Sequence, residues 1–294
     1  MSVNITVPMK NTYNRNVRHL AQQTMSRLRG AVTIESGLLG EKHFIEQIGL
    51  REPVQRVSRH QDSPLQDQPH SRRLLTLTDW WDGDMVDRPD VIRTLDDPSN
   101  SYAVSMARGF GRRYDRTIIA AFNGTSYSGH DGTTANTLAA GNTIQEYYTS
   151  TGSGADSDMT VDKLRGAKRI LDAFEIDEDG RYIVLGASQV ESLLLDSEIT
   201  SSDFNTVRAL VNGEINTFMG FTFIRSELLT ASGAVRSCFA WQRDHVVLGE
   251  GGAFTTRIEE RADKGFDTYV FTKATMGAVR LQENGVVEIQ CTEG

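Results

Sequence analysis

The apolar positions of this chain follow two periods, one helical and one extended. Between Asp97 and Asn123, the residues Tyr102, Met106, Phe110, Tyr114, Ile118 and Phe122 recur every four positions. That spacing lays one apolar stripe along about six helical turns. Asp97–Pro98 supplies an N-cap with Pro at the first helical position, and Asn123–Gly124 supplies the stop. Gly109 and Gly111 interrupt the stripe at a cost of roughly 1 kcal/mol each against Ala, and they permit a bend or a close crossing. Arg108, Arg112, Arg113 and Arg116 line the other side. A second helix is predicted from Thr160, with Val161, Leu164, Ala167, Leu171 and Phe174 on one face, and a third near Gln189–Leu195. Between them the turn Asp177–Gly180 leads into a strand at Tyr182–Leu185.

The last third of the chain changes to period two or to short apolar runs. FAWQ, HVVLG, FTTRIEER, YVFTKATMGAVRL and GVVEIQC are separated by EGG, KGF and ENG, and Glu283-Asn284-Gly285 reads as a hairpin turn. Near the other end, Val54–Leu77 reads as a long hairpin. Alternating positions at Val54–His60 and Leu75–Thr78 form its arms, and QDSPLQDQPHS, rich in Pro, lies between them. Such a ribbon has few apolar residues of its own and should lie on something. Residues 1–30 read as a polar arm, and 31–50 as an apolar patch (Leu38, Leu39, Phe44, Ile45, Ile48, Leu50) that must dock. The Gly/Ser/Thr-rich stretch 123–158 is the best internal boundary. Together these elements give an α+β chain.

Composition and charge sharpen this. At 294 residues with 38% hydrophobic content, a core is possible but apolar content is low, which points to arms whose partner surface lies on another chain. No run of 18 apolar residues exists, so no membrane helix is expected, and the N-terminus lacks the apolar core of a signal peptide. The net charge of −8 is uneven: residues 1–75 hold 11 Lys/Arg against 6 Asp/Glu, and the remainder holds 20 against 33. A basic arm on an acidic body suits contact with a like copy or with a polyanion, and argues against sequence-specific DNA reading.

Candidate chemistry is sparse. Asp79, Asp82, Asp84 and Asp87 resemble a hard-cation loop only in density, because no closing Glu follows. An acidic connection that pairs with Arg is the better reading, and Trp80–Trp81 reads as packing on opposite faces. The six His form no H-x-x-x-H or H-E-x-x-H, no G-x-S-x-G exists, and no Gly-rich run is followed by Lys-Ser/Thr. Cys238 and Cys291 lie far apart in sequence in apolar strand text and read as reduced buried thiols, with no cofactor implied. A soluble α+β enzyme or small-molecule-binding protein is the alternative to a structural one.

The run Gly213–Ser226, GEINTFMGFTFIRS, carries the most information. Preceded by helix, strand and helix, it fits G-x-I-x-x-φ-x-G-φ-x-φ-x-x-S through Gly213, Ile215, Phe218, Gly220, Phe221, Phe223 and Ser226. This order resembles the axial domain of the major capsid proteins of tailed double-stranded DNA bacteriophages, the HK-type capsid fold. Asp267–Ile289, with MGAVR and NGVVEI, resembles that family's closing peripheral strands. The resemblance implies an N-terminal arm (1–30), a docking segment (31–53), an extended loop reaching over a neighbour (54–82), a peripheral domain with a spine helix (83–158), an axial domain (159–248) and a return to the peripheral sheet (249–294). It implies no catalysis, self-assembly into hexamers and pentamers of an icosahedral shell around DNA, a separate scaffolding protein, a portal and, in some members, decoration proteins, with assembly in the host cytoplasm. On that basis Arg56, Arg59, Arg72 and Arg73 are expected to meet acidic residues of a neighbour such as Asp79, Asp82, Asp84 or Asp87. Lys10, Arg15, Arg18, Arg112 and Arg116 are expected on the inner surface.

Overall fold

The computed structural model describes residues 22–63, 65–86, 99–195 and 217–293. Helix α1 spans Ser99–Asn123. Its expected opening at Asp97–Pro98 lies outside the described residues, as do Lys10, Arg15, Arg18, Asp87, Gly213 and Ile215. The four-residue stripe is the buried side: Met106, Phe110, Ile118 and Phe122 are all in the core. Phe110 packs with Ala274 and Met276 of the strand Asp267–Arg280, and the Thr272 hydroxyl reaches the Met106 sulfur at 3.8 Å. The last turn of α1 is closed by a side chain from that same strand. Arg280 is fully buried and its Nη1 donates to the carbonyls of Phe122 and Ala121, groups that a helix C-terminus leaves unpaired.

The sheet under α1 has the strand order Thr33–Ser36, Val246–Arg261, Asp267–Arg280, Thr78–Val86. Its two long strands form one hairpin. The EGG segment, expected to separate strands, is instead a bulge inside the first of them, where register shifts between Gly251 and Thr255 and Gly252 takes φ +80°. KGF is the true turn, with Gly265 and Phe266 both at positive φ.

A second, seven-stranded sheet runs Thr217–Phe218, Phe221–Arg225, Arg181–Leu185, Val235–Gln242, Val286–Thr292 and Thr143–Ile144, with Ala231–Ser232 paired beside Val235–Gln242. Helices α2 (Val161–Ala173) and α3 (Ala187–Leu195) belong to this part of the chain. Thr160 caps α2 by accepting from the Lys163 amide at 3.3 Å. The segment FMGF turns through Met219 at φ 53° and Gly220 at φ +86°, the pair of left-handed residues that a two-residue hairpin needs.

Two expectations about the end of the chain differ here. Glu283-Asn284-Gly285 does not close a hairpin. It carries the chain from the sheet under α1 into the seven-stranded sheet, where Val286–Thr292 pairs with Val235–Gln242 and Thr143–Ile144. The residues after 249 therefore serve both sheets, and the main core runs without a break from α2 through Phe239, Trp241 and Val287 to Ile118 and Phe122 of α1. Gly285 is required for packing: a Cβ there would stand 2.1 Å from Cγ of His245.

The packing around His245 gives a pH dependence. Burial lowers the pKa of His245, against the smaller opposing pull of Asp244 and Asp177. The folded chain then resists a proton that the unfolded chain accepts below the ordinary His value of about 6.5. The contribution is intact above that value and is lost as pH falls through the window towards the depressed folded value. Urea midpoints of wild type should fall between pH 7.5 and 5.5, and the fall should shrink in His245→Asn. An equal fall in both proteins would remove His245 as the cause.

Candidate functional site

The surfaces available for assembly start from the hairpin. Its rising arm is Lys42–Ile48, paired antiparallel with His70–Thr76 in the register Lys42↔Thr76 to Ile48↔His70. The expected arm at Val54–His60 is not a strand. The apolar residues of the 31–50 patch, Phe44 and Ile45, are what give the hairpin its pairing surface, and residues 54–60 have no apolar backing. The sheet is completed by Ser126–Ser128 and Thr134–Asn136. Beyond the paired arms, the described residues of 49–63 and 65–69 form a tip with almost every side chain exposed, including Leu65 at 100%, Leu50 at 97% and Val57 at 84%.

The four arginines of this region separate into two kinds. Arg56 and Arg59 are exposed on the tip; Arg56 Nε donates to the Ser58 carbonyl at 3.0 Å. Arg72 pairs with Glu46 across the hairpin at 2.9 Å and lies over the Phe44 ring. Arg73 departs from the expected role as a contact with a neighbour. It is 8% exposed and engaged within the chain: Nη2 meets Glu283 Oε2 at 2.7 Å, Nε donates to the Leu281 carbonyl at 2.7 Å, and Nη1 to Ser126 Oγ at 3.1 Å. Alternation along the strand sends Arg72 outward and Arg73 inward, which the sequence reading did not separate.

Asp79, Asp82 and Asp84 are all exposed on Thr78–Val86. Asp79 alternates onto the face opposite Asp82 and Asp84, so the three cannot converge on one ion. Asp79 Oδ1 accepts from the Thr275 hydroxyl at 2.5 Å. The tryptophan pair divides likewise. Trp80 packs beside Phe110, Ala274 and Met276, whereas Trp81 is 73% exposed and meets Phe271 edge-on at 6.4 Å. Tyr269 stacks on Phe271 at 5.8 Å, so Trp81, Phe271 and Tyr269 make an aromatic strip on the sheet face away from α1.

The inner-surface candidates Arg112 and Arg116 lie on α1 apart from its apolar stripe. Arg116 is exposed; Arg112 donates to Gln22 Oε1 at 2.7 Å. The reason is a carboxylate that the apolar pattern hid. Asp115 is fully buried and accepts from Ser26 Oγ at 2.5 Å, from the amides of Arg27 and Leu28 at 3.1 Å, and from Gln23 Nε2. Residues 22–32 are thereby held along α1, and Gly111 eases that close approach, since a Cβ would stand 3.1 Å from the Ser26 nitrogen. Arg29 adds a two-pronged contact to Glu250 at 2.8 and 3.0 Å.

Two further buried polar groups were not visible as such in the sequence. Lys163 is fully buried, and its Nζ donates to the carbonyls of Ser157 and Gln290 at 2.7 and 2.9 Å. Burial holds its pKa below the usual lysine range. Cys238 and Cys291, distant in sequence, come together on paired strands, where Arg236 faces Cys291 and Cys238 faces Ile289. Both are free and buried, and the hydrogen bond that the Cys238 S–H donates to Cys291, together with burial, pushes the Cys238 thiol well up. Cys238 is therefore not poised to act as a thiolate.

A helix laid along a sheet with a long hairpin, a second α/β sheet, and an exposed arm at one edge define the fold of phage shell subunits. The capsid of cyanophage P-SCSP1u matches with a TM-score of 0.75 at 14% identity, over 97% of this chain and 93% of that one. That of Ralstonia phage GP4 matches with a TM-score of 0.77 at 12% identity, over 97% and 95%. The capsid asymmetric unit of cyanophage Pam1 matches with a TM-score of 0.67 at 12% identity, over 99% of both chains. No curated protein matches by sequence. The chain belongs to the phage capsid protein family, whose model matches residues 5–293, and it is a shell-forming major capsid protein that associates with copies of itself.

Proposed function

We propose that the chain assembles into hexamers and pentamers of an icosahedral shell around packaged double-stranded DNA, with the hairpin tip lying on an adjacent subunit. The exposed tip carries this reading. Leu50, Val57 and Leu65 present apolar surface on a segment that has almost no core of its own, an arrangement stable in water only when something covers it. The aromatic strip at Trp81, Phe271 and Tyr269, flanked by Asp79, offers a surface of matching chemistry on another copy. In this reading Arg56, Arg59 and Arg72 meet acidic groups of the neighbour, Asp79, Asp82 and Asp84 among them. Residues 159–248 lie near the local symmetry axes, and Arg112 and Arg116 face the lumen. A separate scaffolding protein, a portal and decoration proteins complete the assembly, which takes place in the host cytoplasm.

Each exposed pair contributes only about 0–1 kcal/mol, so the effect depends on repetition through the shell. Reversing Arg56 and Arg59 together to Glu should lower the yield and salt resistance of shells seen by electron microscopy. The circular dichroism and melting of the isolated subunit should stay unchanged. Shells of wild-type resistance from the reversed protein would mean that these charges do not lie in an interface.

A further inference from the structure

Between the C-terminal half of α1 and the base of the hairpin lies a cavity of ≈ 340 Å³. Its wall includes Thr76, Thr78 and Trp80 from the strands and Arg113, Arg116 and Thr117 from the helix. Two arginines therefore line this space, and among the described residues no carboxylate does. The Arg113 guanidinium lies over the Trp80 ring, 3.3 Å from its centroid. Among the described residues, Arg113 Nε and Trp80 Nε1 are both buried without a hydrogen-bond partner. Folded proteins leave very few such donors unmade. Both belong to residues of this one wall, and an acceptor entering beside them would answer them. Burial lowers the pKa of Arg113 and the charge of Arg116 lowers it further. Water would satisfy the donors and leave that repulsion in place; an anion answers both.

We propose that this cavity is an oxyanion site that takes a phosphate group. Arg113 and Arg116 supply the charge, Trp80 Nε1 a neutral donor, and the hydroxyls of Thr76, Thr78 and Thr117 the remaining polar wall. Donors reach the space from a sheet and from a helix, which suits the several oxygens of a tetrahedral ion. A carboxylate, with two coplanar oxygens, is served by a single arginine fork. Exposed Arg116 stands where a group enters, and Arg113, fixed on Trp80, holds the deeper place. The site itself does not depend on the shell reading. Only the source of the phosphate does: a free phosphate or the backbone of enclosed duplex DNA.

Calorimetric titration of inorganic phosphate into the full chain, at fixed ionic strength with chloride as reference, tests this. Saturable binding of phosphate and none of chloride is expected. Arg113→Gln and Arg116→Gln should each weaken it at least about tenfold, in line with loss of a charge-assisted contact, and Arg108→Gln should leave it unchanged. Trp80→Phe keeps the ring beneath Arg113 and removes one N–H, so it should weaken binding several-fold without loss of fold. It and exposed Arg116→Gln decide the matter if Arg113→Gln does not fold. A short blunt DNA duplex that competes with phosphate identifies the backbone as the source, and phosphate binding without such competition identifies the free ion. Phosphate heats no different from chloride, or unchanged affinity in Arg116→Gln and Trp80→Phe, would overturn the site.

Discussion

Asp115→Ala should release residues 22–32 from α1 and lower the stability of the subunit by about 3–5 kcal/mol. The carboxylate is fully buried and gathers the Ser26 hydroxyl, the Gln23 amide and the backbone N–H groups of Arg27 and Leu28. Ala accepts nothing, and each buried donor left behind costs roughly 1–3 kcal/mol. The loss extends beyond the latch. Leu28, Ala31 and Val32 sit in the main core, and the Trp241 indole donates to the Ala31 carbonyl at 2.8 Å. Thr33–Ser36, the edge strand on Val246–Arg261, follows directly. Denaturant titration gives the stability change, and amide exchange at residues 25–36 gives its location. Asp115→Asn, which keeps one acceptor oxygen, should lose less than Ala. Exchange at 25–36 as slow as in wild type, with stability unchanged, would show that the arm is held by its apolar contacts alone.

Much of this architecture was legible because it is periodic. The four-residue stripe of α1 needed only the spacing from Tyr102 to Phe122, and the MG turn before Phe221 needed only a residue that tolerates positive φ. The misreadings share one cause, which is that pairing is not local. Val54–His60 alternates like a strand, yet Phe44 and Ile45 supply the surface that pairs, so the hairpin arm lies earlier. ENG carries turn chemistry, but the strands on either side lie in different sheets. Asp115, Lys163 and Arg280 were hidden for a related reason. A charged residue in sequence reads as solvated, and only the folded chain reveals the carbonyls and amides that converge on it. Among the proposed assembly residues, the sequence could identify arginines near the hairpin but could not tell the exposed Arg72 side from the buried Arg73 side without the register.

Glu283→Ala follows from that last distinction and should cost about as much as the Asp115 variant, for a different reason. Arg73 and Glu283 form an ion pair in which both side chains are largely withdrawn from water, with the buried guanidinium of Arg280 close by. Burial lowers the pKa of Arg280; Glu283 opposes that and Arg73 adds to it, so the carboxylate serves two cations. Deleting it leaves two buried guanidinium groups without their shared carboxylate, and loss of one partner of a buried pair typically costs about 3–5 kcal/mol. The double variant Arg73→Met, Glu283→Gln removes the charge from both sides and should lose only about 1–2 kcal/mol, since the uncompensated charge is the expensive part. Arg73 stands on the returning arm of the hairpin, whereas Glu283 and Leu281 stand on the connection between the two main sheets. The single variant should therefore also loosen the hairpin at its base and depress shell yield more than its melting temperature alone would explain. Denaturant midpoints for the single and double variants, followed by shell yield in electron micrographs, check both statements. If Glu283→Ala and the double variant lose equal stability, the cost arises from lost packing and hydrogen bonds at the turn, and the account based on unpaired buried charge fails.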